Sequence, residues 1–151
     1  MNFSRLTALM VFLLLLSSCG KDEAGDAERQ TPTPAERAAA LDQGPRAAQT
    51  IKLDENLADR GRVLFDDKSC SECHTLGEAE MAPDLLGVLD RRTEEWLKMQ
   101  ITQPEWMNQH DLITRRLISE FDLDMVGVGV GEADAEALLH FLLREAGNAK
   151  P

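Results

Sequence analysis

Cys70-Ser71-Glu72-Cys73-His74 is the stretch on which the reading of this 151-residue chain turns. Two cysteines three positions apart, with a histidine directly after the second, form the C-x-x-C-H attachment signature of a c-type haem. The spacing has a physical reason. Two thiols at that separation reach two vinyl groups on one edge of the porphyrin and add to them covalently, and the next residue then lies beneath the metal, where its imidazole ligates iron. Other uses of the pair are less well supported. A zinc site needs two further thiol or imidazole ligands at comparable spacing, and only His110 and His140 remain, both isolated. A thioredoxin-like dithiol needs a βαβ context that this sequence lacks.

The third cysteine needs its own explanation, because an odd count in an exported chain leaves one thiol over. The chain begins with a short polar stretch containing Arg5, then runs almost unbroken in apolar residues from Leu6 to Leu16. That is the layout of a secretory n-region and h-region. The run is shorter than the roughly 20 residues that span a bilayer as a helix, so it reads as a targeting element that is later removed. It ends in Leu16-Ser17-Ser18-Cys19-Gly20, which resembles the lipobox of a bacterial lipoprotein signal. The resemblance implies cleavage before Cys19 and lipidation of its sulfur and amine. The alternative is ordinary cleavage near Ser18, which leaves Cys19 a free thiol. Gly20, where Asp would retain the protein at the cytoplasmic membrane, favours sorting to the inner leaflet of an outer membrane. Both surfaces face the periplasm. Export also agrees with the haem motif, since c-type haem is attached outside the cytoplasm.

Composition narrows the rest. The 16 Lys and Arg stand against 27 Asp and Glu, a formal charge of −11, which disfavours nucleic acid and anionic lipid surfaces as partners. From Gly20 to Thr50 the only large aliphatic residue is Leu41, among prolines, alanines and charges of both signs. Such a segment buries too little apolar surface to offset its ordering entropy and reads as a tether, with transient helix over 35–41. The expected organisation is a signal peptide over 1–18, a lipidated flexible tether over 19–50 and a folded domain over 51–148. The folded part keeps eleven basic residues against 21 acidic ones from residue 51 onward.

The pattern after residue 50 has a 3.6-residue period and hardly any strand signal, which predicts an all-α domain of about four helices. The first spans about Glu55 to Phe65 after an Asp54 cap, with Leu57, Gly61, Leu64 and Phe65 on one side. The second starts after Thr93, buries Trp96, Leu97 and Ile101, and stops before Pro104. The third spans about Gln109 to Phe121, with Leu112, Ile113, Leu117 and Phe121 inward. The last spans about Glu132 to Ala146, with Ala135, Leu138, Leu139 and Leu142 inward and Gly147 as its stop. A domain this small, with so few strong core residues, gains from a bound cofactor as part of its core.

On these residues the part over 51–148 resembles the monohaem class I cytochromes c, and several expectations follow from that resemblance. It implies a cytochrome c-like fold around one covalently bound haem c. Gly61-Arg62-Val63-Leu64-Phe65 is similar to the family's N-terminal helix, whose glycine and aromatic pack across the C-terminal helix, here at Phe141 with Leu138 or Leu142. Ala82-Pro83-Asp84-Leu85-Leu86-Gly87 is similar to the family's Gly-Pro-x-Leu-x-Gly turn, which implies that the Pro83 carbonyl accepts the His74 Nδ1–H. Arg91 and Trp96 match residues near the haem propionates, although a solvated Arg and a plain core Trp are equally compatible with the sequence.

The sixth iron ligand is expected at Met125, in the glycine-rich loop before the last helix. Met107 reads better as a core residue, and His110, exposed near a cap, and His140 are backups. The family has Met-Pro where this chain has Met125-Val126, which leaves the loop less pre-set. A narrower resemblance, from Pro83 through Trp96, Pro104-Glu105, Met107 and Met125, is to small cytochromes beside nitrous oxide reductase or linked to copper-site assembly. The function implied is a lipid-anchored electron carrier, not an enzyme, serving a redox partner such as a copper enzyme or its assembly factor. The alternatives are a five-coordinate haem sensor or peroxidase-like protein, and a haem-free metal chaperone using Cys70 and Cys73.

Overall fold

The computed structural model describes residues 31–42 and 51–149. The chain divides after Thr31, and every element below lies in residues 32–151. Cys19 and the signal segment fall outside the described residues. The described residues form six α-helices and no strand: α1 Pro34–Leu41, α2 Glu55–Asp67, α3 Glu94–Thr102, α4 Pro104–His110, α5 Leu112–Phe121 and α6 Glu132–Asn148. Short 3₁₀ turns occupy Cys70–Glu72 and Val88–Asp90. None of these helices is long and apolar enough to cross a membrane.

The helix starts follow from capping chemistry. Asp54 accepts the backbone N–H groups of Asn56 and Leu57 at 2.9 and 3.1 Å, satisfying two orphan donors of α2. Thr93 does the same for α3 through Trp96 N–H at 3.2 Å. Four helices expected from residue 51 onward become five for a related reason. Pro104 ends α3 but also opens α4, because a proline at the first helical position gives up only a donor that is unpaired anyway. Asp111, expected inside a helix from Gln109 to Phe121, instead leaves helical geometry and caps α5, its carboxylate accepting Thr114 N–H at 2.7 Å. The break re-registers α5, so Leu112, expected inward, is 76% exposed while Thr114 is buried.

The segment read as a tether carries α1, closed by a Thr33/Glu36 capping box. Its Arg37 guanidinium lies 5.0 Å from the Trp106 ring centroid, a cation–π contact with α4. Asp42, which ends α1, accepts the Thr93 N–H at 3.0 Å. Propensity alone does not hold an eight-residue helix in water, so these contacts to α4 and the α3 cap supply what its sequence lacks.

The core is built around the crossing of α2 and α6. Phe65 and Phe141 meet at 5.3 Å with their planes tilted by 51°. Ala135, Leu138, Leu139 and Leu142 of α6, Trp96 and Leu97 of α3, Met107 of α4, and Val88 and Val130 complete the buried cluster. Gly61 sits where the two backbones touch. A Cβ there would stand 2.0 Å from the Ala137 carbonyl oxygen and 2.8 Å from Phe141 Cβ. At the rim, Arg144 of α6 reaches Asp59 at 2.7 Å and Glu55 at 3.5 Å, and Arg60 pairs with Asp134. Such exposed pairs add little beyond fixing the register.

Gly61→Ala is therefore expected to force the helices apart and destabilise the haem-loaded protein by about 3 kcal/mol, the upper end for an overpacked site. Chemical denaturation followed by circular dichroism measures this. A loss under about 0.5 kcal/mol, the scale of an ordinary surface substitution, would show that the crossing does not depend on glycine.

Candidate functional site

The C-x-x-C-H motif is presented by the turn that follows α2. Ser69 takes a left-handed conformation (φ 57°), which reverses the chain out of the helix. The N–H groups of Cys73 and His74 then both donate to the Cys70 carbonyl, at 3.3 and 2.9 Å. This one tight turn places both thiols and the imidazole within a single revolution of backbone. The thiols are free and half-buried, and burial raises the Cys70 pKa, which keeps it a neutral thiol. His74 Nδ1 lies 2.9 Å from the Pro83 carbonyl oxygen. A carbonyl only accepts, so Nδ1 carries the proton and Nε2 keeps the lone pair that a metal needs. Burial lowers the His74 pKa against the opposing pull of the Pro83 hydrogen bond, so the ring is neutral, the form that ligates a metal.

Pro83 is held in turn. Asp84 Oδ1 accepts the N–H groups of Gly77 and Leu86, both at 2.7 Å, and closes the loop after the motif. Arg91 donates to the carbonyl oxygens of Leu86 and Asp84, at 2.8 and 2.6 Å. The structure therefore places Arg91 as a brace on the turn that presents Pro83. The turn ends in Gly87 with φ 67°, a left-handed position that suits glycine.

Trp96 is buried on α3, and its indole Nε1 has no hydrogen-bond partner among the described residues. The guanidinium of Arg92 lies 5.3 Å from the ring centroid. A buried donor without an acceptor costs about 1–3 kcal/mol, so it is normally satisfied by something. Two free thiols, a neutral imidazole with Nε2 available and an orphaned donor on α3 fit a covalently held haem whose carboxylates would supply an acceptor. By contrast, no group of three His, Cys, Asp or Glu among the described residues is arranged to hold a bare metal ion.

Met125 lies half-buried in the loop between α5 and α6. Gln100 Nε2 of α3 approaches its Sδ at 3.5 Å, and Asn108 Nδ2 of α4 donates to its carbonyl at 2.9 Å. Neither contact was apparent from the sequence, although Gln100, four residues after Trp96, is a polar residue on the inward side of α3 and gives a faint signal. The Thr114 hydroxyl lies 2.7 Å from Gln100 Oε1 and fixes the amide from below. The other ligand candidates are occupied elsewhere. Met107 is fully buried in the core. His140 is buried and accepts the Asp54 N–H on Nδ1 at 3.1 Å. His110, expected exposed near a cap, is half-buried, stacked on Trp106 at 4.7 Å with Nδ1 held 2.8 Å from the Trp106 carbonyl oxygen.

An all-α fold whose first long helix delivers C-x-x-C-H against a carbonyl-oriented histidine defines a covalent haem protein. The chain matches the cytochrome c family over residues 58–145, and it belongs to that family. It is similar to cytochrome c from Rhodothermus marinus, at 28% identity and a TM-score of 0.64, covering 77% of this chain and 99% of that one. It is also similar to an engineered cytochrome c from the same organism, Rma TDE, bound to the carbene intermediate 1-ethoxy-1-oxopropan-2-ylidene, at 28% identity and a TM-score of 0.61, covering 77% of this chain and 100% of that one. No curated protein matches the chain. The protein binds one covalent haem c and is a haem-based electron-transfer protein.

Trp96→Phe keeps an aromatic ring but removes the pyrrole ring with its donor and leaves a small cavity. If haem supplies the acceptor, the variant loses about 1–2 kcal/mol of hydrogen bonding in the loaded protein on top of the cavity cost. Thermal unfolding of the loaded protein reads this, and a gain in stability would show that Nε1 stays unpaired with haem in place.

Proposed function

We propose that the protein is a single-electron carrier with His74 and Met125 as axial ligands, anchored through lipid on Cys19 to a periplasm-facing membrane surface, with the inner leaflet of the outer membrane favoured. The observation that carries the axial assignment is the 2.9 Å contact of His74 Nδ1 with the Pro83 carbonyl, which leaves Nε2 for iron. The bound haem supplies the one-electron ferric/ferrous couple. The polypeptide does the rest. Cys70 and Cys73 hold the porphyrin by two thioether bonds, so it stays with the protein in either oxidation state. The Pro83 carbonyl fixes the His74 tautomer and makes the imidazole a better donor. Met125 offers a thioether, which with histidine raises the reduction potential. The residues around it are held by side chains of α3 and α4, so little reorganises when the charge changes.

The acidic surface supports a basic docking face on the partner, with transient and salt-sensitive encounters. The resemblance over Pro83 to Met125 supports a copper enzyme or its assembly factor as that partner.

Three readouts on the full chain test this. Haem staining after denaturing electrophoresis should mark the wild type, and an unstained band would leave the metal-chaperone reading. The ferric protein should be low-spin, with a weak long-wavelength sulfur-to-iron band that Met125→Ala abolishes. A high-spin wild type would instead support the five-coordinate sensor or peroxidase-like reading. Separately, Cys19→Ala should move the protein from the membrane fraction to the soluble fraction. Unchanged membrane association would rule out the lipid anchor.

A further inference from the structure

The segment after Met125 reads Val126-Gly127-Val128-Gly129, and no proline restricts it. Gly129 is in the left-handed region, with φ 71°. Two glycines in four residues leave such a segment much backbone entropy to lose. In the structure it is held from outside. Asn108 Nδ2 donates to the Met125 carbonyl at 2.9 Å. Glu105 Oε1, from the first turn of the same helix α4, accepts the Gly127 N–H at 2.7 Å. On the far side of the segment, Lys68 Nζ donates to the carbonyls of Val128 and Gly129, at 3.3 and 3.2 Å.

Two further details show that the fit around α4 is close. A Cβ on Gly127 would stand 2.9 and 3.1 Å from the two Glu105 carboxylate oxygens, the far end of a flexible side chain, so glycine here lets the carboxylate seat on the N–H without shifting. Asn108 Oδ1 is buried without a hydrogen-bond partner among the described residues. An amide that leaves one end unpaired calls for an explanation, and the grip of its other end on the Met125 carbonyl provides one. The bond from Gly127 is charge-assisted and holds the Glu105 carboxyl below its ordinary pKa, so the clamp is set at neutral pH.

We propose that Glu105 and Asn108 are positioning residues that clamp the backbone of residues 125–127 and keep the Met125 thioether presented to iron, so that external ligands do not displace it. The inference rests on Met125 being the axial ligand. The clamp acts on the backbone directly after the Met125 side chain, at the Met125 carbonyl and the Gly127 N–H. It therefore governs how often the thioether leaves and leaves haem attachment untouched.

Imidazole titration of the ferric, haem-loaded full chain tests this, with the long-wavelength sulfur-to-iron band recorded in parallel. The double variant Glu105→Ala/Asn108→Ala loses two hydrogen bonds and should bind imidazole at least about tenfold more tightly than wild type, since one such bond alone is worth up to roughly that factor. Glu105→Gln retains a neutral acceptor for the Gly127 N–H and should fall between wild type and Glu105→Ala. Glu105→Ala alone removes the exposed acceptor of the Gly127 N–H and leaves Asn108 in place, and should by itself raise imidazole affinity. It also keeps the proposal testable if the double variant folds poorly. Wild-type affinity in both Glu105→Ala and the double variant, with the band intact, would overturn the clamp. A wild type that lacks the band would instead overturn the Met125 assignment on which the clamp depends, so the two failures are distinguishable.

Discussion

The close crossing of α2 and α6 at Gly61 is the constraint on which the remainder of the domain depends. The Ala137 carbonyl occupies the place a side chain would take, so the two helices approach nearer than any larger residue allows. The chain connectivity then does two things at once. The C-x-x-C-H turn follows directly from the end of α2, and the Met125 loop runs directly into the start of α6. Setting the crossing therefore sets the origins of the haem-motif turn and of the loop proposed to supply the second ligand, and Phe65 against Phe141 locks the rotation of the two helices. Loss of this contact would disturb the site without touching any of its residues.

The two sides of the site are built on different principles. On the His74 side the control is local in sequence, since Pro83 lies only nine residues on and its turn is closed by Asp84 and braced by Arg91. Short loops of this kind pre-organise a ligand cheaply, because little loop entropy is lost. On the Met125 side the control comes from α3 and α4, 17 to 25 residues away in the chain. That arrangement ties the thioether to the integrity of the helical corner at Pro104. It also couples Met125, through Gln100 and Thr114, to the buried Asp111 cap. A buried polar network of this sort is valuable when complete and costly when broken.

How much was legible in the sequence follows from the range of each interaction. The haem motif, the caps at Asp54 and Thr93 and the inward stripe of α6 are short-range features that read from local pattern, while the Pro83 turn was legible through its likeness to the family's turn. Asp111 was hidden because its neighbours fit a continuous helix, and its carboxylate caps the Thr114 N–H only because the chain breaks there. The tether reading of residues 19–50 rested on composition, which says nothing of the Arg37 contact with Trp106 that holds α1. Arg91 and Trp96 were legible as positions, but their duties differ. Arg91 donates to backbone carbonyls, while Trp96 keeps an indole donor that the described polypeptide leaves unpaired.

What the sequence by itself determined is the chemistry: two thiols and an imidazole at a spacing that suits a porphyrin edge, on an all-helical chain. Those properties depend on residues within a few positions of one another, so they are written along the chain. What only the tertiary structure decided is which side chains surround Met125. Gln100, Glu105 and Asn108 are ordinary polar residues in sequence. They acquire a role because α3 and α4 bend at Pro104 and bring them to a loop whose own residues do not restrain it.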